Sequence, residues 1–71
     1  MTNRIIVVDD HPLFRGALTQ ALHSAIHDAR FDQAASLADL EALIAERADT
    51  DLVLLDLAMP GVQGLSGLLL L

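Results

Sequence analysis

Two stretches of the chain are apolar without interruption, and each of them ends at an acidic residue. The first lies in residues 4–8, where residues 5–8 follow Arg4, and it ends at Asp9-Asp10. The second lies in residues 51–55, where residues 52–55 follow Asp51, and it ends at Asp56. Short aliphatic runs without polar alternation are typical of strands that are covered on both faces of a parallel sheet. The pattern therefore predicts two buried strands, each of which ends in a carboxylate.

A helix is predicted directly after the first strand. Pro12 suits the first turn of a helix, and Asp10 stands where a cap or near-cap residue is expected. Apolar residues then recur at helical spacing to about residue 27. The buried stripe of this helix is predicted to be Phe14, Leu18, Leu22 and Ala25 or Ile26.

The segment that follows predicts a weaker strand and a second helix. Residues 30–35 have the polar content of an edge strand. Ser36 and the acid three residues later, Asp39, resemble a capping box, so a helix is expected from there to about Arg47. Its apolar face is predicted to be Leu37, Leu40, Leu43 and Ile44. A third helix is predicted to begin at Gly64.

The predicted order is β-α-β-α-β followed by the start of a third helix, which is an α/β arrangement. Strands that alternate with helices imply right-handed crossovers and a parallel sheet. The expected strand order is 2-1-3. Residues 68–71 are four leucines, and they predict a helix that continues, so the sheet is expected to be truncated. The third strand would then have an open outer edge, which predicts a homodimer or an oligomer with swapped elements.

Composition narrows the functional classes. The chain has 71 residues, a formal net charge of −6, four arginines and no lysine, so it has no basic surface for gripping a nucleic-acid backbone. It has no cysteine, which excludes a disulfide framework and a cysteine-ligated zinc site. Neither a signal peptide nor an apolar run of membrane-spanning length is present in these residues. A cytoplasmic protein that does not enter the membrane is expected.

Three acidic residues carry the candidate chemistry: Asp9, Asp10 and Asp56. In open parallel sheets, ligands bind outside the carboxyl ends of the strands, and the predicted strand order makes the first and third strands neighbours. The three carboxylates are therefore expected to converge and to repel one another unless a cation lies among them. Mg²⁺, bound by a few carboxylates and water, suits this set. A carboxylate beside Mg²⁺ can attack a phosphoryl donor and form an acyl phosphate.

The same sequence allows interpretations other than a phosphoryl-accepting site. The aspartates could simply cap a helix and end a strand, which are common positions for this residue. His23 and His27 lie four residues apart, a spacing that can hold a metal ion, but no third ligand accompanies them, and solvated helix residues are the better account. A haloacid-dehalogenase-like phosphatase would need an Asp-x-Asp pattern after its first strand, and a nucleotide-binding fold would need a glycine-rich loop. The sequence offers neither.

Two segments of the chain resemble a two-component response-regulator receiver domain. One is residues 5–15, Ile-Ile-Val-Val-Asp-Asp-His-Pro-Leu-Phe-Arg, and the other is residues 53–61, Val-Leu-Leu-Asp-Leu-Ala-Met-Pro-Gly. The first segment is similar in sequence to the NarL/FixJ subfamily, whose members usually carry a C-terminal LuxR-type helix-turn-helix. The resemblance covers essentially all 71 residues, and it implies a flavodoxin-like, doubly wound sheet of five strands.

The resemblance also implies roles for individual residues. Asp56 matches the phosphoacceptor, Asp10 the direct acidic ligand of Mg²⁺, and Asp9 the acid that helps to hold the ion, often through water. Ala58 stands where the family uses a backbone carbonyl as a metal ligand. The implied protein is a regulator rather than an enzyme. It accepts a phosphoryl group from a sensor histidine kinase and controls transcription through a DNA-binding domain.

The chain departs from the family pattern in its extent. Residues 1–71 correspond to the first three of the five strands, so they are expected to form a partial receiver without the DNA-binding domain. The family places a Ser or Thr after the fourth strand and a Lys after the fifth, and this chain has no lysine. Two outcomes are therefore open. The site is competent, or the chain is a signalling-incompetent fragment that associates with itself through its open sheet edge.

Overall fold

The computed structural model describes residues 2–59, which form three strands and two helices in alternation. In chain order the elements are β1 Asn3–Val8, α1 Pro12–Ala25, β2 Ala29–Ala34, α2 Leu37–Glu46 and β3 Leu52–Leu55. The predicted β-α-β-α-β order is confirmed. The third helix predicted from Gly64 and the leucines of residues 68–71 lie outside the described residues. Among the described helices, none has the length and apolar character needed to cross a membrane.

The three strands form one parallel sheet in the order β2-β1-β3, as predicted. At the centre of the sheet, Ile6 of β1 is in register with Asp32 of β2 and with Val53 of β3. At the carboxyl edge, Val8 is in register with Leu55. Residues 9 and 56 therefore leave adjacent strands at the same edge. This is the feature of the fold that creates the candidate site.

One cluster of buried side chains lies between the sheet and α2. Ile6 and Val8 point to the same face because side chains alternate along a strand, and they form a buried cluster with Ala34 and Met59. Three leucines of α2 cover this cluster: Leu37, Leu40 and Leu43. The predicted apolar face of α2 is correct for these three, whereas Ile44 is 44% exposed. It stands one position beyond Leu43 on the helix and is turned away from the sheet.

The beginning of α2 has the predicted capping arrangement. Ser36 is the N-cap, and its Oγ accepts a hydrogen bond of 3.1 Å from the backbone N–H of Asp39. The Asp39 carboxylate accepts a 3.2 Å hydrogen bond in return from the N–H of Ala35. Two side chains thus satisfy amide groups that have no partner within the helix.

On the opposite face of the sheet, Ile5 and Val7 are buried. The helix predicted there, α1, is confirmed, but the prediction of its buried stripe was wrong. Phe14 is 59% exposed, and α1 contains no buried residue. The helix ends at Ala25 rather than near residue 27. Within residues 2–59, α1 contacts β2 and β1 but not β3. A cavity of about 700 Å³ is therefore left open between Phe14 and Leu18 of α1 and the Leu54 side of the sheet.

Candidate metal centre at the carboxyl edge of the sheet

Carboxylates from the ends of β1 and β3 meet as the sequence predicts. Asp9, Asp10, His11 and Asp56 can each offer one ligand atom such that all four atoms lie within 4.8 Å of one another. The backbone holds the two strand ends together, because the N–H of Asp56 donates to the carbonyl of Val8 at 3.0 Å. The convergence of Asp9, Asp10 and Asp56 is a consequence of the strand order.

Asp9 is the buried member of the group, with 3% of its surface exposed. Its Oδ1 accepts hydrogen bonds from the backbone N–H and from the Nδ1 of His11, both at 2.8 Å. The backbone hydrogen bond is the main cause that lowers the pKa of Asp9, and it outweighs the opposing effect of burial. Asp9 is therefore ionised at neutral pH, because its buried charge is compensated by hydrogen bonds.

His11 belongs to the site, although the sequence did not single it out. Its Nδ1 lies 2.8 Å from Oδ1 of Asp9, 3.1 Å from Oδ1 of Asp10 and 3.8 Å from Oδ2 of Asp56. The hydrogen bond to Asp9 is the first cause that raises the pKa of His11, and the charges of Asp10 and Asp9 follow. The neighbouring carboxylates therefore favour the imidazolium form of His11. The ring itself remains 68% exposed.

His11 also replaces Asp10 at the position where a cap was expected. His11 is the N-cap residue of α1 and makes no side-chain capping hydrogen bond. Asp10 precedes the cap, so only the near-cap part of that prediction holds. Because the side chain of Asp10 is not occupied by the helix, it is available to the site, and 38% of it is exposed.

Asp56 follows β3 and is held in a tight turn. Its Oδ1 accepts a 2.9 Å hydrogen bond from the N–H of Ala58, and its backbone carbonyl accepts one of 3.2 Å from the N–H of Met59. The side chain of Asp56 is 23% exposed and directs Oδ2 toward His11. Asp56 therefore has one oxygen engaged by the backbone, while the other faces the acidic cluster.

The donor set fits Mg²⁺. The group contains three carboxylates, which are the hard oxygen ligands that Mg²⁺ prefers, and it needs few of them because the ion keeps several waters. The site opens to solvent through the cavity whose lining includes Asp9, Asp56 and Ala58. A bound ion would compete with the His11 imidazolium for the same carboxylates. No comparable metal group involves His23 or His27 in residues 2–59, and both are exposed.

Residues 5–71 match the family described as response regulator receiver domain. The chain belongs to this family. The match covers both segments that carry the resemblance, and the observed strand order 2-1-3 agrees with a flavodoxin-like receiver fold.

Curated relatives place this receiver among NarL-type regulators. The chain is 40% identical over 66 residues to the glycerol metabolism activator of Pseudomonas putida, covering 93% of this chain and 30% of that protein. It is 41% identical over 64 residues to the nitrate/nitrite response regulator protein NarL of Escherichia coli K12, covering 90% and 29%. The chain thus spans less than a third of these relatives. No solved structure matches it.

A third relative combines the same kind of receiver with a different activity. The chain is 39% identical over 67 residues to a protein-glutamate methylesterase/protein-glutamine glutaminase of Rhodospirillum centenum, covering 92% of this chain and 16% of that protein. Receivers of this family therefore occur in proteins with different outputs. The output of the whole protein does not follow from the receiver alone.

Proposed function

We propose that Asp56 accepts a phosphoryl group from the phosphohistidine of a sensor kinase, in a reaction that requires Mg²⁺. The observation that carries this proposal is the meeting of Asp9, Asp10 and Asp56 within 4.8 Å at the carboxyl edge of a receiver sheet. In this proposal the Asp9, Asp10 and Asp56 side chains and the carbonyl of Ala58 hold the ion. The protein is a regulator, and this domain is not itself an enzyme.

The side chains perform the transfer by positioning and charge. One carboxylate oxygen of Asp56 attacks phosphorus, the O–P bond forms, and the P–N bond to the kinase histidine breaks as that nitrogen takes up a proton. The N–H of Ala58, 2.9 Å from Oδ1, keeps the Asp56 carboxylate oriented. Mg²⁺, when bound, neutralises charge on the phosphoryl oxygens. Asp9 stays ionised because the backbone N–H of His11 holds it in that form.

The output proposed for the whole protein is control of transcription in the cytoplasm. Two relatives with about 40% identity are named as an activator and as a response regulator. In this proposal DNA is bound by a LuxR-type helix-turn-helix and not by the receiver, because these 71 residues are acidic and lack lysine. The Ser or Thr and the Lys that read phosphorylation in the family belong to strands beyond the three described. The methylesterase relative represents the competing output, an enzyme domain.

Phosphorylation tests the central proposal. The chain is incubated with an acyl phosphate or a phosphorylated kinase, with and without Mg²⁺, and its mass is measured. We expect one added phosphoryl group that requires Mg²⁺ and is lost in Asp56→Asn. The matched control is Asp28→Asn, because Asp28 is an exposed aspartate with φ of 58°, a conformation that Asn tolerates. Equal labelling of both variants would show that Asp56 is not the acceptor.

A second proposal concerns self-association. Within the described residues β3 pairs only with β1, and Leu52 at its beginning is 46% exposed. An unpaired apolar edge is a template for a strand from another chain. We infer that the 71-residue chain forms a homodimer or swapped oligomer through this edge and, in that state, does not signal. Light scattering at increasing concentration should show a mass above that of the monomer, and a monomer at all concentrations would contradict it.

A further inference from the structure

Arg15 connects three parts of the receiver. It lies in the first turns of α1, and its Nη1 donates a 2.8 Å hydrogen bond to the backbone carbonyl of Asp9. Its Nε donates a 3.0 Å hydrogen bond to Oε1 of Gln33 on β2. The guanidinium therefore joins the loop that carries two acidic site residues to the neighbouring strand.

This contact completes the fixation of the Asp9 backbone. The N–H of Asp9 donates to the carbonyl of Ala34 at 3.1 Å, and its carbonyl accepts from Arg15. The peptide plane between Asp9 and Asp10 is thus held by Arg15 while the preceding plane is held by β2. The orientation of a peptide plane constrains where the next side chain points.

Asp10 depends on this fixation more than Asp9 does. The Asp9 carboxylate is buried and is held directly by the N–H of His11. The Asp10 side chain is 38% exposed, and its ionic partner is the His11 ring, itself 68% exposed. We propose that Arg15 is a positioning residue that, through the Asp9 carbonyl, aims the Asp10 carboxylate at a divalent cation. This inference rests on the proposed function and adds a residue to it.

The positive charge of Arg15 and its hydrogen bond to Asp9 should have opposite effects on Mg²⁺ binding. A guanidinium close to a cation site repels the cation, so removal of its charge alone would strengthen Mg²⁺ binding. Removal of the hydrogen bond to the Asp9 carbonyl would weaken it, because the Asp10 carboxylate would no longer be held in place. Lysine keeps the charge, but its donors radiate from a single nitrogen, so it does not reproduce the planar geometry in which two guanidinium nitrogens contact Asp9 and Gln33.

Mg²⁺ titration by calorimetry distinguishes the two effects. We expect Arg15→Met and Arg15→Lys each to weaken Mg²⁺ binding on the order of 10-fold, which is the usual effect of losing a partner that orients a ligand. Arg30→Met is the matched control, because Arg30 is an exposed arginine of β2 that lines a different cavity. Its affinity should be unchanged or slightly tighter. Unchanged or tighter binding by Arg15→Met would overturn the inference.

Two further measurements separate positioning from loss of folding. Gln33→Leu removes only the distant acceptor at an exposed position and should weaken Mg²⁺ binding severalfold without lowering the melting temperature. In NMR spectra of the metal-free protein, Arg15→Lys should move the Asp10 amide signal and leave that of buried Ile6 unchanged. Wild-type affinity in Gln33→Leu together with an unmoved Asp10 signal would overturn the inference. If the wild-type protein binds no Mg²⁺, the proposed function fails as well.

Discussion

The Nδ1 of His11 lies 2.8 Å from Oδ1 of Asp9, and the same carboxylate oxygen accepts the backbone N–H of His11 at an equal distance. The histidine thus contacts this acid through its main chain and its ring. The main-chain contact holds the Asp9 carboxylate in place whatever the ring does. The ring contact brings an ionisable group into the centre where Mg²⁺ is proposed to bind.

Replacing the His11 ring should therefore strengthen Mg²⁺ binding. His11→Ala keeps the backbone N–H that holds Asp9 and removes an imidazolium that lies 3.1 Å from Asp10 and 3.8 Å from Asp56. Because the imidazolium and Mg²⁺ compete for the same carboxylates, the variant should bind Mg²⁺ severalfold more tightly near pH 6. Calorimetry measures this directly. His23→Ala, an exposed histidine of α1, is the control and should behave as the wild type.

The pH dependence of stability follows from the same pair. The pKa of folded His11 is raised, so its contribution is fully present below the unfolded value of about 6.5 and is lost as pH rises through the folded value. The pKa of folded Asp9 is lowered, so its contribution is present above about 3.9 and is lost as pH falls through the folded value. The metal-free protein should be most stable between these limits.

Urea denaturation across pH in the presence of a chelator measures this profile. His11→Ala should flatten the alkaline decline, because the group that titrates there is gone. It should also shift the acidic decline toward higher pH, since the imidazolium helps to lower the pKa of Asp9. If stability declined equally at alkaline pH in the wild type and the variant, a group other than His11 would be the cause.

The sequence predicted the fold and the convergence of three carboxylates, because both follow from patterns along the strands. Uninterrupted apolar runs that end in Asp9-Asp10 and in Asp56 predict buried parallel strands, and the strand order then brings their ends together. His11 follows directly after two predicted site residues, and this adjacency is the signal that could have identified it. Its role depends on a side-chain rotamer, which spacing does not determine.

Phe14 and Arg15 show where pattern alone was insufficient. A helical stripe predicts which residues share a face, but not how closely that face approaches the sheet, and Phe14 is 59% exposed because α1 lies toward β2. Arg15 contacts Gln33, which is 18 positions away in sequence. No local rule of helix or strand formation predicts that contact, since it arises from the packing of α1 beside β2.

The cap of α2 provides a test of local stability. Ser36→Ala removes the Oγ that accepts from Asp39 and should cost about 1 kcal/mol of the free energy of unfolding. Chemical denaturation monitored by circular dichroism is the measurement. Ser24→Ala is the matched control, because Ser24 donates back to the carbonyl of Gln20 within α1 and caps nothing. Its stability should stay within about 0.5 kcal/mol of wild type. Equal losses in both variants would mean that the cap contributes nothing specific.

The face of β1 that is covered by α2 belongs to the core that keeps the strand ends in register. Ile6 is 0% exposed and packs in the cluster that contains Val8 and Met59. Ile6→Val removes one methylene group from a site without solvent access and should cost about 0.5–1.5 kcal/mol. Leu13→Ala is the control, since Leu13 is 91% exposed and its truncation should change stability by less than about 0.5 kcal/mol. Denaturation of the two variants under the same conditions gives both values. A larger loss for Leu13→Ala would show that Leu13 makes stabilising contacts on the α1 side of the sheet, where Ile5 and Val7 are buried.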